Sequence, residues 1–486
     1  MDAQLDIAKL RAELAAKDAE LAAKDAELAA RDARIAELEK QVAKLTEALA
    51  RNSNNSSLPP SSDGPGKNAA KRKRRKQKGK GRKRGGQPGH RGSHRMLLPP
   101  EEVDELVDLY PAECESCWKT LPEVEDPQAK RYQYTELKPL RPHTTEYRRH
   151  AVVCPHCGYK TIAAYDEEVM PRFAFGPRLM SVVVMLTGVY HLSRRNTVSL
   201  LWELLGLRIS LGSVSNIEKR VGAALEPAVD EAWVAAIRAK VKHTDGTSWL
   251  QAGVMLSLWT IATTAVTVFK IVANGRKETL RKLFFELRGV LVSDRATTLT
   301  FWAMERRQVC WAHLVRKFIS FSERDGPAGA IGQELLDYAG LVFAYWADFK
   351  DGKLSREQLR AWMAPVRAQL EASLERAAAA GIDRLSGSCA DMLEHRLALW
   401  TFVDREGVEP TNNHAEQELR AFVLWRKRSF GTQSERGNRF AERVMTVAHT
   451  ARKQNKNVLA FLSACCEAHA DDRPAPSLFD PCLAAA

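Results

Sequence analysis

The sequence predicts a multidomain chain: a mixed α/β core holding an all-helical insertion, preceded by a coiled-coil helix, a zinc ribbon and a helix-turn-helix-like pair. Three observations predict it. Residues 240–294 are rich in β-branched and apolar residues and break into strand-length runs, whereas 326–405 are rich in Ala and Leu with helical rhythm. Four cysteines stand in two C-x-x-C pairs between 99 and 170. At 486 residues, 45% hydrophobic, the chain is too long for one ordinary domain and apolar enough to bury real cores.

Residues 1–50 repeat at seven, with Leu14, Leu21, Leu28, Ile35, Val42 and Leu49 at one heptad position. The second seam, Leu10, Lys17, Lys24, Arg31, Leu38 and Leu45, is polar in its middle. Such a helix associates weakly, pairs antiparallel or docks on another domain; a solvated single helix is the plainer alternative. Residues 51–98 form a linker and basic arm: RNSNNSSLPPSSDGPG cannot pack, and 71–84 hold eleven basic side chains and no acidic one. Setting that block aside lowers the net charge from +13 to +2, so it is an arm for a polyanion, nucleic acid before membrane. A solubilising or nuclear-targeting tract is the bland reading.

Residues 99–170 read as a zinc ribbon. Each C-x-x-C knuckle brings two thiolates to one ion, and Cys114, Cys117, Cys154 and Cys157 would complete the tetrahedral four-sulfur shell of one structural Zn²⁺. Residues 171–235 turn helical, and two segments joined by LRIS, each with a Ser at its start, resemble a helix-turn-helix, a layout shared by many helical pairs that never touch DNA. The charged N-terminus is not a secretory segment, the run at 179–192 is too short for a membrane span, and that at 246–269 alternates like a strand. The expected setting is the cytoplasm, without a membrane partner.

Within 236–325, Asp245 ends VKHTD and Asp294 ends GVLVSD, each closing an apolar run at the sheet edge where open α/β folds place their chemistry. A lone Asp there is more often a cap. A third carboxylate is expected on the helix opened by PTNN in 406–463, where Asn412, Glu416, Arg420 and Lys427 share one face, with Glu418 and Glu442 as rivals. Three carboxylates suit Mg²⁺ or Mn²⁺ and an in-line phosphoryl transfer between two ions. In QVCWAHLVRKF, Cys310 and His313 sit three apart with Arg316 and Lys317 one turn on; packing is the default, and His313 a candidate phosphate contact. A C-terminal tail is expected over 464–486, and its stretch DDRPAPSLFDPCLAAA carries no packing signal.

With these residues the chain resembles bacterial transposases of the insertion sequence 66 family: the zipper-like helix, NSNNSSLPPSSD, the basic Gly-rich arm, the paired C-x-x-C, HTDGT, GVLVSDR, VCWAHLVRKF and NNHAEQELR occur in that order. The resemblance implies a ribonuclease-H-like core with a DDE triad, Asp245, Asp294 and Glu416 by motif match, interrupted by a helical insertion that the 122 positions between the last two acids accommodate. Three positions depart from the family pattern: Gly246 replaces a Glu, Arg295-Ala296 a Gly-Tyr pair, and Gln417 an Arg.

The expected function is therefore metal-dependent cleavage of DNA at element ends and transfer of the 3′-hydroxyls into target DNA, by a homo-oligomer on the nucleoid with element-encoded accessory proteins as further partners. The expected DNA contacts are Lys71, Arg72, Lys73, Arg74, Arg75, Lys76, Arg82, Lys83 and Arg84 of the arm, and His313, Arg316, Lys317, Arg420 and Lys427 of the core. The alternative is a non-catalytic zinc-ribbon and helix-turn-helix DNA-binding regulator.

Overall fold

The computed structural model describes residues 96–165 and 173–479, together with many residues of a helix between 14 and 46. The basic arm from Lys71 to Arg84 lies outside the described residues. Positions 24–39 are helical throughout, with Lys24–Glu20 and Arg31–Glu27 pairs along the surface, and Leu14, Leu21, Leu28, Ile35 and Val42 are all exposed. Among the described residues, that heptad seam is left open to solvent.

Regular structure between 96 and 165 is sparse. A hairpin of β1 (Ala151–Val153) and β2 (Lys160–Ile162) frames the second knuckle, and an isolated bridge between Glu113 and Thr120 frames the first. Four helices follow: α1 (Pro177–Val184), α2 (Arg194–Leu205), α3 (Leu211–Ala224) and α4 (Glu226–Arg238). Ser193 and Ser210 cap α2 and α3, accepting from the amides of Asn196 and Ser213, and Gly206 ends α2 in the left-handed conformation.

The sheet begins with a meander of β3 (Val241–Gln251), β4 (Val254–Ala262) and β5 (Thr267–Val272), all antiparallel. Helix α5 (Lys277–Leu283) leads to β6 (Val290–Ser293) and then β7 (Arg307–Val309), both parallel to β3. The sheet order is β5-β4-β3-β6-β7. Helix α6 (Trp311–Ser322) leaves the sheet for a helical block of α7 (Pro327–Lys350), α8 (Arg356–Ala379), α9 (Ser386–Glu394), α10 (Arg396–Leu399) and α11 (Thr401–Asp404). The chain returns in α12 (Asn413–Ser429), α13 (Glu435–Lys453) and α14 (Val458–Ala470).

Two apolar cores result. One joins α1–α4 and α12–α14 to the sheet through Val184, Trp249, Phe269, Phe422, Val444 and Leu462. The other joins β6 and β7 to the helical block through Val292, Val309, Trp311, Phe318, Leu335 and Trp400. The C-terminal segment corrects the sequence reading: α14 runs to Ala470 with Cys465 and Cys466 buried, and beyond it Leu478 is buried while its amide donates to Glu231. Helix VLAFLSACCEAHA is apolar on nearly every face, so it must be enclosed.

Candidate active site

Asp245 does not end its strand. β3 continues to Gln251 against β4, where Asp245 faces Thr260, but its parallel pairing with β6 stops at His243↔Val292. On that side β3 has left the ladder two residues before Asp245. Continuing the register, Asp245 stands beside Asp294, and β6–β7 pairing of Val292↔Gln308 sets Asp294 beside Cys310. Adjacent strands lie about 4.8 Å apart where they pair, so His243, Val292 and Gln308 form one row, and the three positions follow two residues beyond it at the C-terminal ends of the parallel strands. The Cys310 amide donates to Ser293 O at 2.8 Å and holds that row together.

Asn412 brings the last helix to it. Only 1% exposed, Asn412 donates from Nδ2 to Thr244 O at 2.8 Å and from its backbone amide to Cys310 Sγ at 3.1 Å, while Oδ1 lies 3.3 Å from His243 Nδ1. Trp311 N also donates to Pro410 O at 2.9 Å. Glu416, one turn into α12, is thereby carried toward the row and toward α6. His313 Nδ1 is 3.7 Å and Arg316 Nη2 3.8 Å from its carboxylate. These distances are too long for hydrogen bonds, and both Glu416 Oε1 and His313 Nδ1 are buried without a partner.

The electrostatics are those of crowded acids. Burial, then the charges of Asp294 and, more weakly, Glu416, push the Asp245 carboxyl up to about 7, against the lowering effect of its hydrogen bond from the Gly246 amide and of Arg316. Burial also lowers His313, and lowers His243 to about 4, so both imidazoles are neutral at neutral pH. Burial pushes the Cys310 thiol up to about 11. Cys310, His313 and Glu416 bring one potential ligand atom each within 4.8 Å of one another. The neutral thiol already accepts from Asn412 N, and its role is to seat α12.

The rival acids are occupied elsewhere. Burial alone would raise Glu418, but hydrogen bonds from His414 and His449 and the Lys453 ammonium at 3.0 Å hold it well below the usual carboxylate range. Glu442 accepts from the Ile271 amide behind β5, and burial raises it. Of the predicted DNA contacts in the core, His313 and Arg316 turn to Glu416, Lys317 lies over the Phe321 ring, and Arg420 and Lys427 are exposed on α12.

Two of the unusual residues have local causes. A Cβ on Gly246 would meet the Trp259 indole at 2.8 Å, so the ring has taken the space of any side chain there. Arg295 pairs with Asp391 of α9 at 2.7 Å, binding the helical block to the strand end that carries Asp294. Sequence reasoning missed this pair, the Asn412 bridge and His243; only the Asn pair at 412–413 gave a signal, as a helix start.

The two cysteine knuckles are formed alike. Cys114 and Cys154 each accept hydrogen bonds from backbone amides within their own knuckle, those of Cys117 and Ser116 and of His156 and Cys157, which lower their pKa values. The four sulfurs do not gather within 4.8 Å of one another; among the described residues Cys310, His313 and Glu416 form the group that does.

Residues 172–440 match the Transposase IS66 family, over half of the chain and across all three acids. The chain belongs to the IS66 transposase family. Its substrate class is therefore DNA and its chemistry that of nucleases and transferases using divalent metal ions. Residues 2–96, with the heptad helix and basic arm, match a family of unknown function, DUF6444. No curated protein matches the chain. Among the described residues of this IS66-family chain, no helix is long and apolar enough to cross a membrane.

Proposed function

We propose that the chain is a DDE transposase in which Asp245, Asp294 and Glu416 are the catalytic acids. The observation that carries this reading is the cluster itself. Asp245 on β3 and Asp294 just past the end of β6 lie close enough that the charge of Asp294 raises the Asp245 carboxyl, and a third carboxylate is delivered to them with a buried oxygen that nothing satisfies. The residues of that cluster fit divalent ions with oxygen ligands. The sheet order, antiparallel in β3–β5 and parallel in β6 and β7, supports a ribonuclease-H-like core made of 236–325 and 406–463, with 326–405 as its insertion.

When bound, the ions supply charge at the attacking and leaving oxygens of an in-line displacement. The chain's own residues do the rest. Asp245 and Asp294 offer oxygens from a rigid sheet, and Glu416 approaches from a helix seated by Asn412. In the first step a water oxygen bonds to phosphorus and the P–O3′ bond breaks, the departing 3′-oxygen taking up a proton to leave a 3′-hydroxyl and a 5′-phosphate. In the second that 3′-hydroxyl gives up its proton and bonds to a target phosphorus as the target's own P–O3′ bond breaks, its departing 3′-oxygen taking up a proton. Arg316 and neutral His313 flank Glu416, where a phosphate would pass.

The arm would grip phosphates, and the exposed heptad seam would pair subunits across two DNA ends. The knuckles would hold one zinc ion once the two hairpins close on each other. The test is cutting and joining of supercoiled DNA carrying the element's ends, in Mg²⁺ and in EDTA, by wild type, Asp245→Asn and Asp294→Asn. Metal-dependent products lost by at least about 10²-fold in both variants support the reading. Products that survive either substitution overturn the triad. A wild type that binds the ends but never cuts, with accessory proteins supplied, favours the regulator.

A further inference from the structure

Phe430 stands where a large aromatic side chain is least expected. It follows the last residue of α12 with φ +56°, the left-handed region that helix ends usually give to Gly or Asn. Its ring is also 74% exposed. An exposed aromatic residue on a strained backbone gains little from burial, and such backbone outliers gather at functional positions.

The chain around it is held firmly. Gly431 follows with φ +92°, and a Cβ there would collide with Leu250 O. Thr432 N donates to Leu250 O at 2.9 Å and Ala252 N to Thr432 O at 2.8 Å, hooking the turn to the end of β3. Arg426 binds Thr247 and Ser248 of the same strand. The ring is thus displayed on a fixed mount.

Its neighbours suit nucleic acid. Lys427 and Arg428 are exposed three and two residues before it. Ser429 and Gly431, on either side, line a cleft of ≈ 750 Å³ between α3 and the start of α13, with Arg194, Lys219, Arg436 and Arg439 in its walls. Several of these cations have acidic partners, such as Arg194 with Glu218 and Arg439 with Glu435, so the cleft is mixed in sign. Two independent rulers place it relative to the acids. Along α12, Glu416 to Phe430 is about 21 Å at the helical rise. Along β3, Asp245 to Gln251, which bridges to Thr432, is about 20 Å at the strand rise.

We propose that Phe430 is a base-stacking residue, its ring packed on a nucleobase of bound DNA about six base steps from the bond that is cut. This rests on the transposase reading above. Aromatic rings hold unpaired bases by stacking and wedge between paired ones, with flanking cations on the phosphates.

The experiment uses the full chain in EDTA, to prevent cutting. Its probes are a single-stranded oligonucleotide of about 30 residues and the corresponding duplex, each carrying 2-aminopurine. Phe430→Ala should weaken single-strand binding by about 5- to 150-fold and relieve the fluorescence quenching, while Phe430→Trp retains both. The loss should be the same at every salt concentration, unlike that of a missing phosphate contact. Phe430→Gly should lose binding yet raise the melting temperature by about 2 °C, which separates function from folding. Equal affinity and quenching in wild type and Phe430→Ala overturn the proposal and assign the ring to a protein contact. A wild type that binds neither probe overturns the transposase reading with it.

Discussion

At the scale of single residues, the two aspartates make a pH prediction. The folded chain keeps the Asp245 proton to about pH 7, whereas the unfolded chain releases it near the ordinary value of 3.8. A carboxyl raised on folding contributes stability that is fully present below the unfolded value and lost as pH rises through the folded one. The metal-free melting temperature should therefore fall as pH is raised from about 4 to 7, and Mg²⁺ should restore it at the upper end. Asp245→Asn should flatten the dependence; thermal melts across that range with and without Mg²⁺ check it. Gly246 gives a second prediction: Gly246→Ala should cost about 1–3 kcal/mol in chemical denaturation, because its methyl group meets the Trp259 ring. The departure from the family pattern at 246 was visible in the sequence, but its cause was not. Trp259 is a cross-strand partner of Gly246, and no rule of local spacing names it.

Among the elements, the anchoring of α12 matters most. Asn412→Ala would leave Thr244 O with one partner fewer and His243 without its partner at Nδ1, at about 1–3 kcal/mol for buried groups, while the backbone bond to Cys310 is kept. It should also lower the cutting rate more than DNA affinity, since Glu416 loses its seat while the basic surface is unchanged. Much of this level was legible. Helical rhythm at 326–405 gave the helical block, and serines before α2 and α3 marked their starts. Asp245 was misplaced at a strand end because VKHTD closes an apolar run, yet β3 goes on through Gly246 as a partner of β4. The extent of α14 was missed since two cysteines and several alanines read as a tail until a core surrounds them. Arg295 and Asp391 lie on separate elements, and only the folded chain brings them together.

For the whole molecule, the two cores divide the labour. The sheet with α12–α14 and α1–α4 fixes the acids, and the helical block is bolted to the sheet through β6, β7 and the Arg295–Asp391 pair. The charge concentrated in the arm should make DNA affinity fall steeply with salt, and deleting 51–98 should flatten the slope in a fluorescence titration. Removing 1–50 should shift the sedimentation of the DNA complex toward fewer subunits, because the described residues of its heptad seam are exposed and free to pair with a second copy.

The central claim, that Glu416 completes the acid site while its neighbour Glu418 belongs to the packing, is tested most directly by one comparison. Glu416→Gln and Glu418→Gln are assayed side by side for Mg²⁺-dependent cutting of end-bearing supercoiled DNA, with melting temperatures measured on the same preparations. Glu416→Gln should melt as high as wild type and cut at least about 10²-fold more slowly. Glu418→Gln should melt lower, having loosened its contacts with His414, His449 and Lys453, and still cut. A Glu416→Gln protein that cuts at the wild-type rate, beside a folded Glu418→Gln protein that does not, would contradict the account.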